Sequence, residues 1–164
     1  MIKKTIICVG FIFLAPISLY SQVKHRKPDY ALSPGISIQK EVLYEINTLI
    51  GRYENSTGGN AFGGVRFGFE SNLKQGINNI IAPKIGLEIS GMLICLRITA
   101  INYFQNHKNQ FTLLPEFGIS YMGFVNLTYG YNIFMSKNNF IDIGSHRICL
   151  TFNLNRDLID DTFN

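Results

Sequence analysis

Residues 111–133 read FTLLPEFGISYMGFVNLTYGYNI, and through almost all of that stretch apolar and polar side chains alternate. Phe111, Leu113, Pro115, Phe117, Ile119 and Tyr121 share one face of an extended chain, with Gln110, Thr112, Glu116, Gly118 and Ser120 on the other. Only Leu114 breaks the order. Beyond Met122-Gly123 the pattern resumes, with Val125, Leu127, Tyr129, Tyr131 and Ile133 opposed to Asn126, Thr128, Gly130 and Asn132. A two-residue period on both sides of a glycine turn predicts an antiparallel hairpin with one apolar face.

The same unit recurs upstream. PKIGLEISG at 83–91 matches PEFGISYMG at 115–123, with proline, mid-strand glycine and turn glycine in register, so the repeat is a hairpin. The pattern predicts a short strand at Gly35–Gln39 and longer ones at Val42–Arg52, Phe62–Ser71, Ile81–Ser90 and Ile94–Phe104, then the opening hairpin and a last strand carrying Ile148, Leu150, Phe152 and Leu154. A change of phase near Ile101 suggests a β-bulge. Pro83 and Pro115, which cannot donate to a ladder, are expected at a strand start or a bulge. Glu54–Asn60, Asn72–Asn79, Gln105–Asn109 and Ser136–Ser145 read as loops. No segment after the N-terminal leader shows a 3.6-residue period, so the fold class is all-β: a single antiparallel up-and-down barrel of about eight strands over residues 30–155.

Alternating strands fit both a soluble barrel, apolar inside, and a transmembrane barrel, apolar outside; the content of the faces decides between them. The polar face mixes small residues such as Gly68, Gly86, Gly118 and Ser120 with isolated, balanced charges: Arg66, Glu70, Lys84, Glu88, Arg97, Glu116 and Arg147. A narrow lumen wants that mixture, whereas a water-facing surface carries many long charged side chains. The other face is large, branched and aromatic. Tyr103, Phe104, Tyr121, Phe124 and Phe134 fall near strand ends, where a membrane barrel keeps its interfacial aromatics. Trp is missing from the chain.

Residues 1–21 read as a signal peptide: Lys3 and Lys4 precede the apolar run Thr5–Leu14, and Ser21 suits the position before a cut. The run breaks at Pro16, short of the ~20 residues of a spanning helix. Residues 22–29 (QVKHRKPD) form an unstructured lead-in and 156–164 an acidic tail. Removing the leader leaves 13 basic residues against 11 acidic, which gives no support to a nucleic-acid partner. Export to an oxidising compartment raises the question of a Cys95–Cys149 disulfide, but their strands are not neighbours in the proposed order and both are expected as free, inert thiols.

Through LPEFGISYMGFVNLTYGYNI and the closing ICLTFNL, the chain resembles the small outer-membrane β-barrel proteins of Bacteroidota-type bacteria. The resemblance implies an outer-membrane location, membrane lipid and the barrel-assembly machinery as partners, a monomer, and a last strand that serves as the assembly signal. Phe152 and Leu154 are the candidates for that signal, although the chain continues past them.

Little in the chain points to catalysis. Ser145-His146 is the one serine–histidine pair, and neighbours on a strand point to opposite faces, so it makes no nucleophile–base couple. His25, His107 and His146 are too dispersed for a metal site, and no glycine-rich phosphate loop opens a helix. No catalytic, cofactor or metal residues are therefore assigned. The seven lumen charges are expected to pair as a structural plug, because an eight-stranded barrel is just wide enough for its own side chains. The expected role is structural, or binding of an unknown ligand through extracellular loops. A soluble lipocalin-like barrel holding an apolar ligand and a lipid A-modifying outer-membrane enzyme are the alternatives.

Overall fold

A computed structural model describes residues 28–56, 59–135, 143–156 and 158–159. The leader 1–21 and most of the lead-in and acidic tail lie outside them. The strands are β1 (Asp29–Ile38), β2 (Val42–Ser56), β3 (Gly59–Ser71), β4 (Ile81–Ser90), β5 (Ile94–Gln105), β6 (Lys108–Tyr121), β7 (Val125–Tyr131), β8 (Ile133–Phe134) and β9 (His146–Phe152). Each of β1 to β6 pairs antiparallel with its successor, β9 pairs with β7, and β1 pairs with β9. The sheet therefore closes on itself. Because β8 prolongs β7 along β6 in unchanged register, the nine segments form eight staves of an up-and-down barrel.

Connections 91–93 and 122–124 and the facing ends of β2 and β3 lie at one mouth, the turn end; 39–41, 72–80, 106–107, the end of β8 and the start of β9 lie at the other, the loop end, and most of the loop expected at Ser136–Ser145 lies outside the described residues. Several predicted boundaries move. Asp29, assigned above to the lead-in, already pairs with Gly51, so the first strand is twice the length expected from Gly35–Gln39. Glu54–Asn60 is mostly ladder, since pairing continues to Ser56↔Gly59. Gln105–Asn109 is ladder as well, except for Asn106 and His107, whose positive φ angles of 46° and 60° make a two-residue hairpin turn. Polar composition suggested loops there; at the mouths of a barrel, polar strand ends are equally at home.

The expected bulge near Ile101 is not found. β5 keeps one register with β4 and with β6 from end to end. What changes at Ile101 is the chemistry of the inward face, which turns from Arg97 and Thr99 to Ile101 and Tyr103. Leu114 has the same explanation: it points inward like Thr112 and Glu116. Tyr103, expected among the interfacial aromatics, is wholly buried in the interior, and Phe124 and Phe134 are half-buried against inner clusters; Phe104 and Tyr121 face outward.

Pro83 and Pro115 sit inside strands without a bulge. Each occupies a gap in one of its two ladders. Pro83 pairs with Phe69 on β3, while the β4–β5 pairing lapses between Ile81 and Lys84. Pro115 pairs with Ile98 on β5 and lies opposite the break between β7 and β8. Pro34 repeats the arrangement, paired with Ile46 but just beyond the β1–β9 ladder. A missing N–H is harmless where no partner carbonyl is due.

Candidate functional site

Inward positions of β2, β3, β4, β5, β6 and β9 bring eight charged side chains into the lumen: Glu45, Arg66, Glu70, Lys84, Glu88, Arg97, Glu116 and Arg147. Among the described residues these are the only buried charges, four carboxylates against four cations. All seven charges expected there lie in this belt. Glu45 is the eighth and stands outside that expected set, although it shares the inward phase of Asn47 on β2 and the alternation of that strand puts both on the polar face.

Glu45 is in fact the hub. It meets Arg147 at 2.8 Å, Arg66 at 3.3 Å and the Lys84 ammonium in close contact. From there the chain of pairs runs two ways. On one side Arg147 grips Glu70 through both terminal nitrogens, at 2.8 and 2.7 Å, and Lys84 reaches the same carboxylate at 3.1 Å. On the other side Arg66 binds Glu88 at 2.7 Å, and Glu88 holds Arg97 Nε at 2.9 Å. The register accounts for one of these pairs, because Glu88 and Arg97 are directly opposite across β4 and β5; Arg97 also lies opposite Glu116 on β6.

Neutral side chains add further hydrogen bonds to the charged groups. Asn153 Nδ2 donates to Glu88 at 2.8 Å, Thr128 Oγ1 to Glu116 at 3.2 Å and Asn47 Nδ2 to Glu45 at 3.2 Å, while Arg147 Nη1 donates to the Tyr103 hydroxyl at 3.3 Å. Arg97 also contacts the Thr151 hydroxyl. Buried charges are tolerable only when paired and hydrogen-bonded in this way.

Two apolar clusters close the belt above and below. At the loop end Leu43, Ile80, Ala82, Ile101, Tyr103, Leu114 and Ile143 pack together; at the turn end Ala31, Leu49, Tyr53 and Phe62 enclose Leu158. Leu158 comes from beyond the last strand. Its N–H donates to Asn155 Oδ1 at 3.0 Å, and Asn155 Nδ2 donates to the Tyr30 carbonyl at 2.8 Å, which folds the chain after β9 across the turn-end mouth. Both clusters keep water from the ions, and lower local polarity strengthens every pair between them.

The outer face is the inverse of the lumen. Phe117, Ile119, Ile85, Ile89 and Ile148 are all more than half exposed, and the remaining outward positions of these strands are mostly Ile, Leu, Val, Phe or Tyr.

Cys95 and Cys149 are buried in the lumen wall as free thiols. His146 opens β9 on the outer face with Nδ1 2.5 Å from the Tyr129 hydroxyl, and His107 sits in the β5–β6 turn. His25 lies outside the described residues, within which no group of three or more His, Cys, Asp or Glu is placed to hold a metal ion. No protein-family model, curated protein or solved structure matches this chain.

Proposed function

We propose that this chain is an integral outer-membrane β-barrel of the Bacteroidota type, with a structural wall, loops that meet a partner, and no catalytic step of its own. The observation that carries the reading is the outer surface: a predominantly apolar face of Ile, Leu, Val, Phe and Tyr, broken at mid-strand by Thr48 and Asn102, around a polar, ionic interior. Apolar patches on soluble monomers rarely exceed a few hundred Å². An apolar band that encircles the barrel needs a solvent of its own kind, and acyl chains are that solvent.

Dimensions support the same reading. A ten-residue strand such as β4 rises about 33 Å, and at a tilt of about 40° it covers about 25 Å, the height of the apolar band in outer-membrane barrels. A lipocalin-like carrier would need an apolar cavity, and here the centre is filled by ion pairs. The two apolar caps likewise favour a plugged lumen over a diffusion pore.

Expressed with its leader in a Gram-negative host, the protein is expected to sediment with outer membranes and to be released only by detergent. Its unheated band should migrate differently from the boiled one. Recovery in the soluble periplasmic fraction without detergent would overturn the proposal.

A further inference from the structure

Between the β3–β4 connection and the β5–β6 turn lies an open groove of about 530 Å³ at the loop-end rim. Ile81 and Phe104, the outermost cross-strand pair of β4 and β5, form its floor, and both are exposed on the apolar outer face. Its walls are different in kind. Asn79 and Ile77 line one side; Asn106, His107 and Lys108 line the other. The groove is therefore apolar toward the barrel's waist and cationic and amide-rich toward the rim.

It is also preformed. Asn72 staples the β3–β4 connection, donating from Nδ2 to the Asn78 carbonyl at 2.8 Å and accepting from the Ile80 and Lys74 N–H groups at 3.0 and 3.2 Å. A single 3-10 turn, Gly76–Asn78, is closed by Asn79 N–H to the Gly76 carbonyl at 3.2 Å. So held, the connection displays Ile77 and Leu73, each 70% exposed, beyond the strand ends where no part of the barrel covers them. Lys74 is already engaged with Glu41 at 2.7 Å. Lys108, exposed at the start of β6, is the cation presented to the groove itself.

The geometry points to a binding site for a phosphorylated lipid of the leaflet at the loop end. Its acyl chain lies on Ile81 and Phe104, its phosphate meets Lys108 and His107, and Ile77 and Leu73 dip into the headgroup boundary. The site rests on the membrane reading above and adds to it a lipid class and a location. Charge complementarity selects the occupant: the floor continues the lipid-facing surface, and the rim supplies positive charge at headgroup height.

The test reconstitutes the full mature chain in phosphatidylcholine vesicles containing either bisphosphorylated lipid A or its dephosphorylated form, then counts lipid retained after mild detergent extraction by native mass spectrometry. The phosphorylated lipid is expected to be retained preferentially. Lys108→Gln should cut that retention by about fivefold, the effect of one basic side chain at a membrane surface. Lys40→Gln, on the same rim in the β1–β2 connection, should change it little. Equal retention of the two lipids, or equal losses in the two variants, overturns the groove as a site while leaving the membrane reading standing. Failure to enter vesicles overturns both.

Discussion

Replacing Glu45 by glutamine is expected to destabilise the folded barrel by about 3–5 kcal/mol, because it leaves three buried cations facing a neutral amide. Arg147, Arg66 and Lys84 all converge on this carboxylate, and the four-against-four balance of the lumen becomes a net positive charge sealed between apolar caps. The desolvation of each cation is then no longer offset. Glu41→Gln is the natural control: Glu41 pairs with Lys74 at 2.7 Å, but Lys74 is half exposed and the pair is screened by water, so the loss should stay below about 1 kcal/mol. Denaturant unfolding in detergent micelles measures both. Adding Lys84→Met to Glu45→Gln should recover part of the loss by removing the excess charge, and equal midpoints for the two single variants would contradict the role assigned to the belt.

A second large effect is expected at Gly118. A Cβ there would sit 2.0 Å from the Leu127 carbonyl oxygen and 2.6 Å from the Thr128 Cα, both backbone atoms of the neighbouring strand. Inward positions on adjacent strands converge in a narrow barrel, and at this point only a hydrogen fits. Gly118→Val should therefore cost about 3 kcal/mol or more, seen as loss of the compact unheated band. Gly91→Ala in the β4–β5 turn meets nothing closer than 3.7 Å and should be within about 0.5 kcal/mol of the parent.

Where the sequence was legible, the reason is the period of two. Phe117 and Glu116 are distinguishable as outward and inward by neighbourhood alone, and the alternation of β4 bounds it at Ile81 and Ser90, where the ladder also begins and ends. The same rule misled wherever the inward face became apolar. Leu114 and Ile101 read as lapses of phase, and Tyr103 as an interfacial aromatic, because an interior that is ionic at the waist and apolar at both mouths has no uniform signature along one strand. Glu45 falls on the polar face of β2, opposite Val42, Tyr44 and Ile46, but nothing in that one strand separates it from its polar neighbours; its place in the belt comes from three cations on other strands. Proline placement was equally beyond reach, since it depends on where a neighbouring ladder lapses, which is a property of two strands and not of one. Leu158 illustrates the limit most simply. A lone leucine in an acidic tail carries no pattern, and only the closed mouth around Ala31, Tyr53 and Phe62 gives it a place.

The absence of tryptophan offers a direct probe of which solvent touches the outer wall. Phe117 is 63% exposed on β6, at the middle of the apolar face, and packs edge-on against Tyr129 at 5.9 Å, so a Phe117→Trp variant carries one reporter at a site that tolerates a large ring. In vesicles whose acyl chains are brominated, its fluorescence should be strongly quenched and insensitive to iodide in the buffer. Emission indifferent to bromine and quenched by iodide would place that wall in water and contradict the account.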